Sequence, residues 1–244
     1  MGAPSPDGLL VCVETGGGGA FATCRKLHGM RLAGCADLTV PYGSVAGLLG
    51  RNGSGRTTTT RMLTTLPPPD AGRILIGGAD AVRSPQRVRP LIGMAGRYAA
   101  VDPDPAGREN LVMAGRPTGR PTGMLRADVR TRAAQLLEQF QLTEIADRPG
   151  RTNSGGQRRR FDLAAALVHR PRILFFDEPT TGLAPRGRRD LWTVLEQLVA
   201  GGTTALLTTQ YMEEADRAGE NLALKNNDIG KRTWEAFATE RSPA

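Results

Sequence analysis

Lysine is almost missing from this chain: Lys26, Lys225 and Lys231 are the only three among 32 basic residues. The net charge of +8 is therefore carried by arginine. Aromatic residues make up only 5%, too few for a platform on which bases stack. The arginines are scattered rather than gathered in a stripe, so the charge reads as a compositional bias and argues against nucleic acid as a partner. The three cysteines, Cys12, Cys24 and Cys35, have no CxxC spacing and no histidine cluster beside them. That excludes a zinc-ribbon pattern and fits reduced thiols. The two histidines, His28 and His169, do not form a ligand pair. No window of about 18 consecutive apolar residues offers a transmembrane helix. The first residues, MGAPSPDGLL, lack the basic start and apolar stretch of a signal peptide. A cytoplasmic location is expected.

What is present is a chain of 244 residues, 39% hydrophobic, enough for one large domain. Short apolar runs alternate with helical patterns. Leu9–Val13, Asp37–Val40, Val45–Leu49, Arg73–Ile76, Leu91–Ala95, Arg172–Phe176 and Thr203–Thr208 read as strands. Helices are expected over Arg56–Leu66, Leu125–Gln141, Gly156–His169, Pro185–Ala200 and Met212–Ala218. Ile173-Leu174-Phe175-Phe176 is apolar without alternation, as in a strand covered on both faces. The pattern predicts an α/β core with a mostly parallel sheet. Residues 99–152 show no convincing strand and read as a helical insert; Gly16–Gly19 reads as a surface loop.

Three short stretches carry chemistry. In the first, Val45–Leu49 leads into Gly50-Arg51-Asn52-Gly53-Ser54-Gly55 and then a helix starting Arg56-Thr57-Thr58. A glycine-rich turn between strand and helix curls backbone N–H groups around a phosphate, and the helix dipole adds to the attraction. Thr57 can offer its hydroxyl to Mg2+. In the second, Ser154-Gly155-Gly156-Gln157 opens a helix, with Ser154 as N-cap. In the third, Asp177 and Glu178 end a buried strand, the place where ligands bind in open α/β sheets. Asp177 suits coordination of Mg2+, and Glu178 suits polarising a water.

Together these stretches resemble the nucleotide-binding subunit of the ATP-binding cassette family over roughly residues 30–218. The resemblance implies a P-loop NTPase (RecA-like) core over 1–97 and 159–244, an antiparallel β part near the N-terminus, and a helical subdomain over 98–158 that carries the signature motif. It also implies ATP and Mg2+ as cofactors, Thr57 and Asp177 at the metal, and Glu178 as general base. Arg97 then stands at the Q-loop position and Gln210 at the switch position. Two cassettes dimerise head to tail in that family. Arg158-Arg159-Arg160, Thr180-Thr181-Gly182-Leu183 and Thr208-Thr209-Gln210-Tyr211-Met212-Glu213-Glu214 are similar to the daunorubicin-resistance type of drug exporter subunit. Such subunits drive a separate membrane permease from the inner face of the cell membrane.

Several positions depart from the family pattern. Arg56 replaces lysine, Arg97 replaces glutamine, Ala184 replaces the D-loop aspartate, and Leu27 or His28 stands where an aromatic would stack on adenine. Guanidinium is broad and planar where ammonium is compact. Weakened nucleotide binding and slow hydrolysis are therefore expected. The Asn226-Asn227-Asp228 run is expected to interrupt the last core strand. The leading function is an ATPase subunit of a drug exporter. One alternative is a degenerate, non-hydrolysing partner in an asymmetric pair. Another is a soluble cassette protein of translation or DNA repair, which would normally need two cassettes or a coiled-coil insert.

Overall fold

A computed structural model describes residues 8–12, 37–50, 52–69, 73–96, 101–115, 126–225 and 228–230. The elements are, in order, β1 (Gly8–Cys12), β2 (Asp37–Pro41), β3 (Val45–Gly50), α1 (Arg56–Leu63), β4 (Arg73–Ile76), β5 (Ala79–Asp80), α2 (Pro85–Val88), β6 (Ile92–Ala95), α3 (Gly107–Ala114) and α4 (Arg126–Gln139). There follow α5 (Gly155–Leu167), β7 (Ile173–Asp177), α6 (Pro185–Ala200), β8 (Thr204–Thr209), α7 (Met212–Ala218), β9 (Gly219–Lys225) and β10 (Asp228–Gly230). The Gly16–Gly19 loop, Leu27 and His28 lie outside the described residues.

Two sheets form. The smaller, in the order β2-β1-β4-β5, is antiparallel throughout. The larger runs β10-β9-β3-β8-β7-β6 and is parallel except for the β10–β9 pair. All five residues of β7 are buried, as its unbroken apolar run predicts. Its side chains divide by the two-residue period of a strand. Ile173 and Phe175 face one core with Leu48 and Ile92, together with Met62 and Leu63 of α1. Leu174 and Phe176 face the other core, with Leu207, Phe161 of α5 and Leu191 of α6. The second core continues through Leu136, Leu137 and Phe140 of α4, so the helices after residue 100 rest on one side of the sheet.

Some boundaries differ from the sequence reading. Helix α1 stops at Leu63, not Leu66, because Thr65 takes a left-handed φ of 61°. The last core strand is not interrupted: β9 pairs in parallel with β3 from Gly219 to Leu224. Asn226 and Asn227 lie outside the described residues, and Asp228–Gly230 pair antiparallel with β9 as β10. No described helix is long and apolar enough to cross a membrane.

Helix α6 starts on Ala184, which has extended φ and ψ (−62° and 159°) but no side-chain acceptor to cap the helix. Ala184→Asp should supply that cap and oppose the helix dipole, a gain of about 1 kcal/mol. Thermal unfolding should shift upward by roughly 2–4 °C for a chain of this size. A fall in the midpoint would show that the turn before α6 does not accept a capping carboxylate.

Candidate functional site

Parallel strands place the candidate residues on one edge. β3, β8, β7 and β6 run side by side in the same direction, so the segments after them emerge together. Those segments begin with the Gly50 loop, Gln210, Glu178 and Gly96. This carboxyl edge is where α/β sheets bind ligands.

The loop after β3 turns on two glycines of positive φ, Gly53 at 82° and Gly55 at 95°. L side chains are strained there, which explains the glycines. Gly55 is the N-cap of α1, without a side-chain cap bond and without an acid in the first turn. The N–H groups of that turn are thus left to whatever anion enters. Ser54 Oγ is buried and has no hydrogen-bond partner among the described residues. Thr59 instead turns inward on the helix, donating from its N and Oγ1 to Gly55 O at 2.8 and 3.0 Å.

The two acids are held by a single threonine. Thr208 Oγ1 donates to Asp177 Oδ1 at 2.8 Å and accepts from Glu178 N at 2.9 Å. Thr57 Oγ1 donates to the same Asp177 Oδ1 at 3.2 Å, so an α1 hydroxyl meets the end of β7. Glu178 has a φ of 49°, a strained value for a residue with a side chain and one often stored at functional sites. Its Oε2 accepts from Thr181 Oγ1 at 3.2 Å.

Its other oxygen meets the residue that breaks the family pattern. Arg56 Nη2 lies 2.6 Å from Glu178 Oε1, and the two residues are only 5% and 8% exposed. The same nitrogen donates to Asn52 Oδ1 at 3.3 Å. Arg56 therefore bridges the glycine-rich loop, through Asn52, to the acid after β7. A buried pair like this is destabilised by about 3–5 kcal/mol when one partner is removed.

The Ser154–Gln157 stretch forms a closed cap. Ser154 Oγ accepts from Gln157 N at 3.3 Å, and Ser154 N donates to Gln157 Oε1 at 2.8 Å. Gly155 and Gly156 sit in the first turn of α5, and a methyl on either would meet no atom within 4 Å. Neither has a left-handed φ. Nothing among the described residues therefore demands glycine at either position.

Gln210 is half-buried at the turn after β8. The turn is braced by Thr209 Oγ1, which donates to Glu214 Oε2 at 2.6 Å and accepts from Tyr211 N at 3.0 Å. Arg51 and Arg97 lie outside the described residues. The structure thus brings Arg56, Thr57, Asp177 and Glu178 into direct contact, while Ser154–Gln157 bond among themselves. No spacing rule points to Thr208, Thr181 or Arg159, although all three lie in stretches that carry the family resemblance. Their importance depends on neighbouring strands and on a helix that packs back, which a linear pattern does not express.

The ABC transporter family model matches residues 35–181, more than half of the chain. The chain belongs to the ABC transporter family. It is 49% identical over 204 residues to the daunorubicin resistance ATP-binding protein DrrA3 of Streptomyces coeruleorubidus, covering 84% of this chain and 63% of that protein. It is 48% identical over 200 residues to the daunorubicin/doxorubicin resistance ATP-binding protein DrrA of Streptomyces peucetius, covering 82% and 59%. This ABC-family chain therefore spans about three-fifths of the length of the curated relatives it matches. The cbiO1 structure from Clostridium perfringens, part of the ABC transporter complex cbiONQ, superimposes with a TM-score of 0.79 at 20% identity, covering 96% of this chain and 92% of that one. The ATP-binding cassette MJ0796, in a dimeric post-hydrolysis state with ADP and Pi, does so with a TM-score of 0.75 at 21% identity, covering 92% and 97%. At that identity these two matches speak to the fold alone.

Proposed function

We propose that the chain is the ATP-binding and ATP-hydrolysing subunit of an exporter for a drug-like small molecule. It works with a second cassette and a separate permease at the inner face of the membrane, and not with nucleic acid. The observation that carries this is the contact between the phosphate loop and the two acids, through Thr57–Asp177 at 3.2 Å and Arg56–Glu178 at 2.6 Å. The similarity to resistance ATP-binding proteins supports the drug-exporter reading.

The oxygens at the site suit Mg2+, a hard cation that takes few protein ligands and keeps waters and phosphates. Thr57 Oγ1 and Asp177 Oδ1 already lie within 3.2 Å, and no described cluster of three His, Cys, Asp or Glu competes for a metal. Bound there, Mg2+ would neutralise charge on the phosphates. The chain's own residues do the rest. The loop from Gly50 to Thr58 donates N–H groups to the phosphates, and the orphan Ser54 Oγ gains a partner. Glu178 orients and polarises the attacking water, with Gln210 on the neighbouring strand end as a second orienting group. In a head-to-tail dimer, Ser154 to Gln157 of one copy close on the nucleotide held by the other. Residues 98–158 act as the helical subdomain that makes this closure.

Hydrolysis is slow in this reading, because Arg56 sits on the base. The guanidinium must leave Glu178 Oε1 before the carboxylate can face water. Phosphate release from the chain with its permease tests both points. Arg56→Lys, which supplies a compact charge, should raise turnover several-fold. A wild-type rate of about tens per second, a typical enzyme value, with no gain from Arg56→Lys would refute the impairment.

A further inference from the structure

Three arginines follow the signature residues, and their side chains diverge. Arg158 Nε donates back to Asn153 O at 3.2 Å, and Arg160 Nη1 donates to Phe140 O at the end of α4 at 3.4 Å. Arg159 alone of the three reaches the sheet. Its Nε donates to Pro179 O at 2.9 Å, and its Nη1 donates to Gly96 O. Gly96 follows β6 and Pro179 follows Glu178, so one guanidinium joins the ends of two neighbouring parallel strands. Carbonyls beyond the end of a strand have no ladder partner, and a planar fork with several donors can satisfy two at once. Burial pushes the Arg159 guanidinium below its ordinary value, while the charges of Asp162 and Asp177 oppose that shift.

We infer that Arg159 is a positioning residue that makes the placement of Glu178 depend on the position of the signature helix. The inference rests on Glu178 acting on water as proposed above. Glu178 holds a left-handed φ, a conformation that persists only where the surroundings over-determine it. Thr208 grips it from β8 through the backbone N–H. Arg159 grips the next residue from α5, on the other side. A shift of α5, such as closure onto a second cassette would produce, is then transmitted through Pro179 to the carboxylate. The same guanidinium holds Gly96, the residue before Arg97, so both strand ends move with the helix.

The test compares Arg159→Met and Arg159→Lys with wild type in the full chain and its permease complex. Met keeps length and apolar packing but donates nothing. Lys keeps charge and can bond one carbonyl well. For Arg159→Met, kcat should fall about tenfold or more while the Mg-ATP Kd stays within about threefold, the pattern of a contact that matters only in the reacting state. Arg159→Lys should fall between. In the nucleotide-free chain, amide exchange over 178–183 should quicken about tenfold in Arg159→Met, with the amides of α1 unchanged. Unchanged exchange over 178–183 overturns the inference. So does a loss of Kd and kcat together with faster exchange throughout α1, which would mark a merely structural role. A wild-type chain that binds Mg-ATP but releases no phosphate overturns the hydrolytic reading instead, and the exchange measurement separates the two failures.

Discussion

Replacing Glu178 by glutamine should cut ATP turnover about 10²- to 10⁴-fold, the range for loss of a general base, while tightening the binding of Mg-ATP. The first effect follows from the site's chemistry. The second is particular to this chain. Arg56 Nη2 is paired with Glu178 Oε1 at 2.6 Å. An incoming triphosphate must compete with that carboxylate for the guanidinium. Glutamine keeps the shape and an acceptor oxygen but removes the competing charge. The cation is then under-compensated until phosphate arrives, so affinity should rise by about tenfold, equivalent to ~1.4 kcal/mol. The variant should also unfold more easily, since a buried cation has lost its opposite charge. Equilibrium binding of a fluorescent ATP analogue, beside phosphate release, checks both signs. Unchanged or weaker binding in Glu178→Gln would mean that Arg56 does not contact the phosphates.

Gly156→Ala should cut turnover of the assembled transporter about 10²-fold or more while leaving the isolated chain as stable as wild type or more so. Glycine inside a helix is less favourable than alanine by roughly 0.5–1 kcal/mol. A methyl at Gly156 meets nothing within 4 Å among the described residues, so the helix loses nothing by the change. In the proposed head-to-tail dimer the harm comes from outside, where the added methyl would keep a second cassette's nucleotide from the N–H groups of the α5 first turn. Removing one such anion contact is expected to lower the rate by about 10²-fold or more. Thermal unfolding of the chain and ATP turnover of the complex should therefore move in opposite directions. If the variant loses stability, the glycine serves the fold and not an interface. If turnover survives, the signature helix does not face a nucleotide.

Much of this was legible from residue order. The strand-to-helix loop at Gly50–Thr57, the capped helix at Ser154 and the paired acids at Asp177–Glu178 each have a local physical signature: glycine punctuation, a serine three residues before glutamine, and acids after an apolar run. The two-sided burial of β7 follows from its lack of alternation. What lay beyond reach depended on partners distant in sequence. Thr208 became the clamp on both acids only because β8 runs beside β7 in the register that sets Asp177 against Thr208. Arg159 is one of three equivalent arginines until α5 packs against the sheet. The consequence of Arg56 was half legible. Its broad shape suggested a poorer fit to phosphate, but the pairing with Glu178 depends on a separation of 122 residues. The last strand was misjudged because two asparagines look like a break, whereas β9 completes its pairing with β3 before them.

The most direct measurement is calorimetric titration of Mg-ATP into the nucleotide-free chain. Binding should saturate with a dissociation constant at or below about 1 mM, near −4.1 kcal/mol, and tighten in Glu178→Gln. No heat of binding at several times that concentration, in wild type and in Glu178→Gln alike and with a partner subunit supplied, would contradict it.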